Sequence, residues 1–276
     1  MSVRELRELE RVEWRVLAAL RPVDGVTGMP LRAGAATVRV EADGARIVRN
    51  RSGLFVIHEW PTLAAHATSF AEPPDEPEPG SELLELVVRD LSGRYLPRRL
   101  NLALPRDADP EVEAALSLFV PVDVPLYPSP GGDLGTNWCA LRVSVSRNVG
   151  GNPGGDALGG ALLRVVSAGS VLARGLTDWR GEGLVPVAGV PVTTWSEDED
   201  AVVVSAIAAT VEVVFDPARG TRTPQADVAA GRGPAVPPLV DPQDLEQRRA
   251  TLPAAQRNVS LAARGALHLN LGLDLP

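Results

Sequence analysis

The sequence predicts an all-β protein: two small antiparallel β-sandwich modules with short helical pieces and an extended C-terminal arm. Three observations carry this prediction. Apolar residues recur with a period of two in short runs along most of the chain, the spacing of strands that bury one face. Turn residues separate the runs, among them Asp43-Gly44, Asn50-Arg51-Ser52-Gly53 and Asp178-Trp179-Arg180-Gly181. The last residues form the cleanest stripe. Leu267, Leu269, Leu271, Leu273 and Leu275 alternate with His268, Asn270, Gly272 and Asp274, which puts one apolar row on a single face of a strand.

Taken in order, Ser2 with Glu5 forms a capping box for a short helix or arm over 1–13. From Trp14 the period changes to two through Val16, Ala18 and Leu20. Thr37 to Glu41 and Ala45 to Arg49 read as a hairpin closed by Asp43-Gly44. Leu54 to Glu59, Leu83 to Arg89 and Tyr95 to Leu104 complete a first module over 14–106. A linker over 107–135 follows, helical around Glu111 to Phe119 and then irregular through the prolines of Val120 to Pro130. The second module, 136–216, opens on a strand whose Cys139, Leu141, Val143 and Val145 share one face. Gly150 to Gly160 reads as a flexible loop, and Ala161 to Ser167, Val171 to Thr177, Leu184 to Val187 and Ala201 to Phe215 read as strands. Residues 217–276 form the arm, broken by Pro224, Pro234, Pro237, Pro238, Pro242 and Pro253. Asp241-Pro242-Gln243-Asp244 is a helix start inside it. As a flexible chain, 217–258 would span roughly 35 Å. The terminal stripe is then an unpaired strand on a tether, open to pairing with this chain's own sandwich or with a neighbour's sheet.

Composition excludes several chemistries. The 276 residues have room for about two domains. All 27 basic residues are arginine, against 35 acidic ones, for a net charge of −8. Without lysine there is no Schiff base and no phosphate-binding lysine. An acidic chain with scattered aromatics lacks the footprint for nucleic acid. No secretory signal and no membrane-spanning run are evident. Cys139 alone makes no intrachain disulfide, so the expected compartment is the cytoplasm.

The two modules share an order of signals. Thr27-Gly28-Met29-Pro30-Leu31 precedes a strand, a return strand, the Asn50 to Gly53 turn and Leu54-Phe55-Val56. Leu158-Gly159-Gly160-Ala161 precedes the same succession, ending in Thr177 to Val185. This order resembles the carboxypeptidase regulatory-like family of small prealbumin-like sandwiches, with Asn50 where that family uses Asp. The resemblance implies a structural or interaction module without catalysis. Val12 to Leu17, Tyr95-Leu96-Pro97-Arg98, Leu126-Tyr127-Pro128-Ser129-Pro130 and Asp178 to Glu182 are similar to segments of bacterial phage-tail-like contractile injection particles. That likeness implies a structural part of the particle, ranked first at the cap or terminator end.

Other chemistry weighs less. His58-Glu59 would need a second histidine at position 62, which is Thr62. His58, His66 and His268 match no metal-ligand spacing, and no cofactor is implied. The glycine run lacks both a lysine and a following helix for a phosphate cradle. Glu197 to Asp200 is a solvated hairpin tip, or else a carboxylate pair for glycoside hydrolysis. Trp138, Trp179 and Trp195 form a candidate sugar-stacking platform. The reading that follows is a non-enzymatic structural subunit acting beside copies of itself in a ring and beside sheath, tube or cap proteins, without nucleic acid or membrane insertion. Leu267, Leu269, Leu271, Leu273 and Leu275 are its candidate interface, with a carbohydrate- or surface-binding module and a glycoside hydrolase as alternatives.

Overall fold

The protein is described by a computed structural model over residues 15–31, 37–68, 76–135, 138–190 and 206–275. The fold is all-β, with several antiparallel sheets and, among the described residues, only short helices. In the first half the strands are β1 (Ala18–Asp24), β2 (Val38–Ala42), β3 (Arg46–Arg49), β4 (Phe55–Glu59), β5 (Glu82–Asp90), β6 (Arg98–Leu104) and β7 (Val122–Leu126). They form a four-stranded sheet β3-β4-β1-β7 and a three-stranded sheet β2-β5-β6. The period-two residues explain the layering. Leu20, Ile57 and Val124 from one sheet and Val40, Leu86 and Leu102 from the other point into one shared core. A short helix, α1 (Ala64–Thr68), follows β4.

Three expectations fail here. The Asp43-Gly44 turn does not close a hairpin, because β2 pairs with β5 and β3 with β4. It carries the chain from one sheet to the other, since a period of two identifies a strand without identifying its partner. Residues 107–126 are not a separate linker either. β7 pairs in parallel with β1 at the sheet edge, where Pro125 forfeits no ladder bond to a further strand. Glu111 to Phe119 is a set of turns rather than a helix. Its carbonyls at Ala114, Ala115 and Ser117 accept from the buried guanidinium of Arg106.

The second half holds β8 (Cys139–Val149), β9 (Asn152–Gly159), β10 (Leu162–Ser167), β11 (Ser170–Leu176), β12 (Glu182–Val187), β13 (Ala206–Val214), β14 (Thr221–Thr223), β15 (Ala254–Ala262) and β16 (Ala266–Leu273). One sheet runs β11-β10-β13-β15; the other is β12-β8-β9-β14, with β16 on the free side of β8. The glycine run is largely the strand β9 rather than a flexible loop. Gly159 explains why small residues are needed there: a Cβ would sit 2.5 Å from Thr221 Oγ1 and 2.8 Å from the Asp178 carbonyl.

The largest correction concerns 217–276. The leucine stripe is a strand as predicted, but it lies in the chain's own sandwich. β16 pairs in parallel with β8 from Ala266↔Ala140 to Leu273↔Arg147. β15 pairs with β13 over nine positions, Ala206↔Ala262 to Val214↔Ala254. The expected arm is therefore part of the second module, and the prolines lie in the connection between β14 and β15. That connection carries two helices, α2 (Gln225–Ala229) and α3 (Pro242–Gln247). The 1–13 helix, the Glu197 to Asp200 run and Trp195 lie outside the described residues.

Candidate functional site

Leu269, Leu271 and Leu273 are 7%, 6% and 1% exposed, and Leu267 and Leu275 pack at the margin of the same core. The stripe that sequence reading offered as a subunit interface is thus used inside the molecule. The physical reason is local: β8 presents Leu141, Val143 and Val145 on the matching face, and only a three-residue turn separates β15 from β16. On the outer side, a Cβ at Gly272 would meet Asn148 Oδ1 at 1.7 Å, so a larger residue there would have to displace the Asn148 side chain.

What stands out instead is the junction between the sandwiches. Asp241 caps α3 as its sequence predicts, its Oδ1 accepting from the Gln243 amide at 3.0 Å. The helix is wedged between the two halves. Arg98 of β6, 0% exposed, donates to the Arg99 and Pro125 carbonyls, each at 3.0 Å, to Asp241 Oδ1 at 3.2 Å and to Gln243 Oε1. The other Asp241 oxygen accepts the Asn101 amide at 3.0 Å. Burial pushes the Arg98 guanidinium down from its usual value, and the neighbouring Tyr127 and Asp241 oppose that shift. From the opposite side, Glu246 of α3 accepts from Arg174 at 2.5 Å and from Arg164 at 3.0 Å. Arg164 also binds Glu212. Beneath these charges Tyr127, Leu162, Leu176, Val214, Val240 and Leu245 form a third apolar cluster. Apolar burial and hydrogen-bonded charge therefore act on the same seam.

The turns named in the sequence use one chemistry. Asn50 Oδ1 accepts the Leu54 amide at 2.9 Å, and Asp178 Oδ1 accepts the Arg180 and Glu182 amides at 2.8 and 3.1 Å. Asn50 thus performs the acceptor role of an aspartate. Gly181 is conformationally required, with φ +74° and a Cβ position 2.3 Å from the Val145 carbonyl. The pairing around the turns differs, however: β3 pairs with β4, whereas β11 and β12 belong to different sheets.

Among the described residues, Trp138 and Trp179 of the expected platform do not come together. Trp138 lines a cavity of about 260 Å³ with Asp24, Arg94, Tyr95 and Asp133, at the β8 start. Trp179 lies at the opposite end of the β8–β12 pair, under Gly233 and the Arg180 guanidinium. His58 is on β4, His66 follows it on α1, and His268 is in the other sandwich. Cys139 is fully buried in the second core, and burial pushes its thiol pKa up.

The outer face of the β8 sheet carries a groove of about 700 Å³, lined by polar and apolar atoms alike, that sequence reading did not identify. Glu182, Ser144 and Asn270 stand side by side on three adjacent strands. Gln225 of α2 forms part of one wall, and Arg257 of β15 reaches into the groove. Period-two alternation marks such residues as solvent-facing, but their convergence depends on the parallel β16–β8 pairing.

No protein-family model matches the chain, and no curated protein matches it. A solved structure, the Bacillus anthracis TIE protein, aligns with 95% of this chain and 34% of its own length at 8% identity and TM-score 0.26. The chain thus spans about a third of that protein. Similarity at this level carries no functional argument.

Proposed function

We propose that the chain is a non-enzymatic structural subunit of a phage-tail-like contractile injection particle, placed at the cap or terminator end. In this reading it works in several copies with sheath, tube or cap proteins in the cytoplasm. The observation that supports it most is where two of the resembling segments fall. Tyr95-Leu96-Pro97-Arg98 and Leu126-Tyr127-Pro128-Ser129-Pro130 build the seam between the sandwiches: Leu96 donates to the Tyr127 carbonyl at 2.9 Å, and Arg98 bonds across to α3. A seam held by buried charge and apolar packing resists hinge motion. A subunit at the end of a contracting tube needs that property more than a mobile cleft. Because β16 is committed to β8, assembly would proceed through sandwich surfaces and other sheet edges rather than by donation of the terminal strand. The reading is tested by deleting the gene in the producing cell and imaging particles by negative stain. Uncapped particles with a broadened length distribution are expected. Normal, length-uniform particles would refute it.

A further inference from the structure

We infer that the groove on the outer face of the β8 sheet binds an acidic oligosaccharide, a hydroxyl-rich chain bearing carboxylates. Its floor is Ser144 and Ser146 on β8 and Asn270 on β16, outward-facing because Val143, Val145, Leu269 and Leu271 between them face the core. Among the described residues, none of these three side chains forms a hydrogen bond within the protein. Hydroxyls and amides at this spacing offer both donors and acceptors, as a polyol requires. The volume, about 700 Å³, lies in the range of small-ligand sites.

Charge narrows the ligand. The ionisable side chains of the groove are Arg180, Glu182 and Arg257, and the adjoining cavity of about 230 Å³ adds Arg142 and His268. Guanidinium groups thus outnumber carboxylates there, although the chain as a whole carries −8. A concave site of sign opposite to its surroundings draws in anions. Arg257 is the most telling of these residues. Opposite Val211 on β13, its Cβ lies on the core side of β15, yet its head lines the groove. Among the described residues it has no ion-pair or hydrogen-bond partner. By contrast, Arg164, Arg174 and Arg248 of the same half are all tied to carboxylates. A guanidinium with its fork open is suited to a ligand carboxylate. A peptide ligand is disfavoured because the apolar side chains of the lining are only Val145, Pro153 and Val228, too small to form an anchor pocket, and a nucleic acid because among the described residues no aromatic ring lines the groove for base stacking.

Isothermal titration of the full chain with trigalacturonic acid, maltotriose and a hexa-aspartate peptide tests this inference. Trigalacturonic acid should bind, maltotriose at least tenfold more weakly, and hexa-aspartate also at least tenfold more weakly. The Arg180→Ala/Arg257→Ala double variant should lose at least tenfold in affinity for trigalacturonic acid at unchanged melting temperature. If that variant folds poorly, Arg257→Gln with Asn270→Ala should show the same loss. Absence of heat with trigalacturonic acid at millimolar concentration would overturn the inference, as would equal affinity for hexa-aspartate or full affinity in the variants.

Discussion

Arg98 carries a charge at a position with no water, and its worth depends on partners contributed by distant segments. Asp241 lies 143 residues away in sequence. Removing one member of such a group leaves the other charge buried and uncompensated, a loss of about 3–5 kcal/mol. Arg98→Ala should therefore shift urea unfolding, followed by tryptophan fluorescence, by that amount; a change below about 1 kcal/mol would show that the pair is solvated. Glu246 supplies a pH signature. The Arg174 hydrogen bond, opposed by burial and aided by the Arg174 and Arg164 charges, holds its carboxyl below the ordinary 4.5. A depressed carboxyl stabilises the fold above its unfolded value and loses that contribution as pH falls through the folded one. The stability gap between wild type and Glu246→Gln should be constant near neutrality and shrink on acidification below about 4.5. A gap unchanged down to acid unfolding would contradict the assignment.

At the scale of elements, β16 is the decisive strand. Its leucines are unequal: Leu273 is 1% exposed, whereas Leu267 is only partly buried at the margin. Leu273→Ala should cost about 2–5 kcal/mol and Leu267→Ala clearly less, measured by chemical denaturation. Equal losses would mean that the strand is not held in this register. The sequence made β16, β5, β6 and the α3 cap legible because each signal is local: alternation, or an Asp before Pro. It hid the partner of β16 because alternation is indifferent to whose sheet lies alongside. β15 was missed since Ala254, Gln256, Asn258 and Ser260 supply no apolar face of their own, and its inner face holds only Ala255, Val259 and Leu261 with Arg257 between them. β7 and β9 were hidden by Pro125 and by the glycines, residues that normally mark loops.

For the whole molecule, the seam was not readable in the sequence, because Arg98, Tyr127 and Glu246 come from three separate stretches of chain whose meeting no local signal encodes. With the seam closed, the sandwiches should unfold together in one calorimetric transition, which Arg98→Ala should move to lower temperature. Two transitions in the wild type would show the halves to be independent. The central claim, a rigid two-sandwich subunit at the end of an injection particle, is tested most directly by cryo-electron microscopy of native particles with this chain labelled. The account predicts a ring of label at one end, with density for both sandwiches in a single fixed orientation. Particles free of the label, or label spread along the sheath, would contradict it.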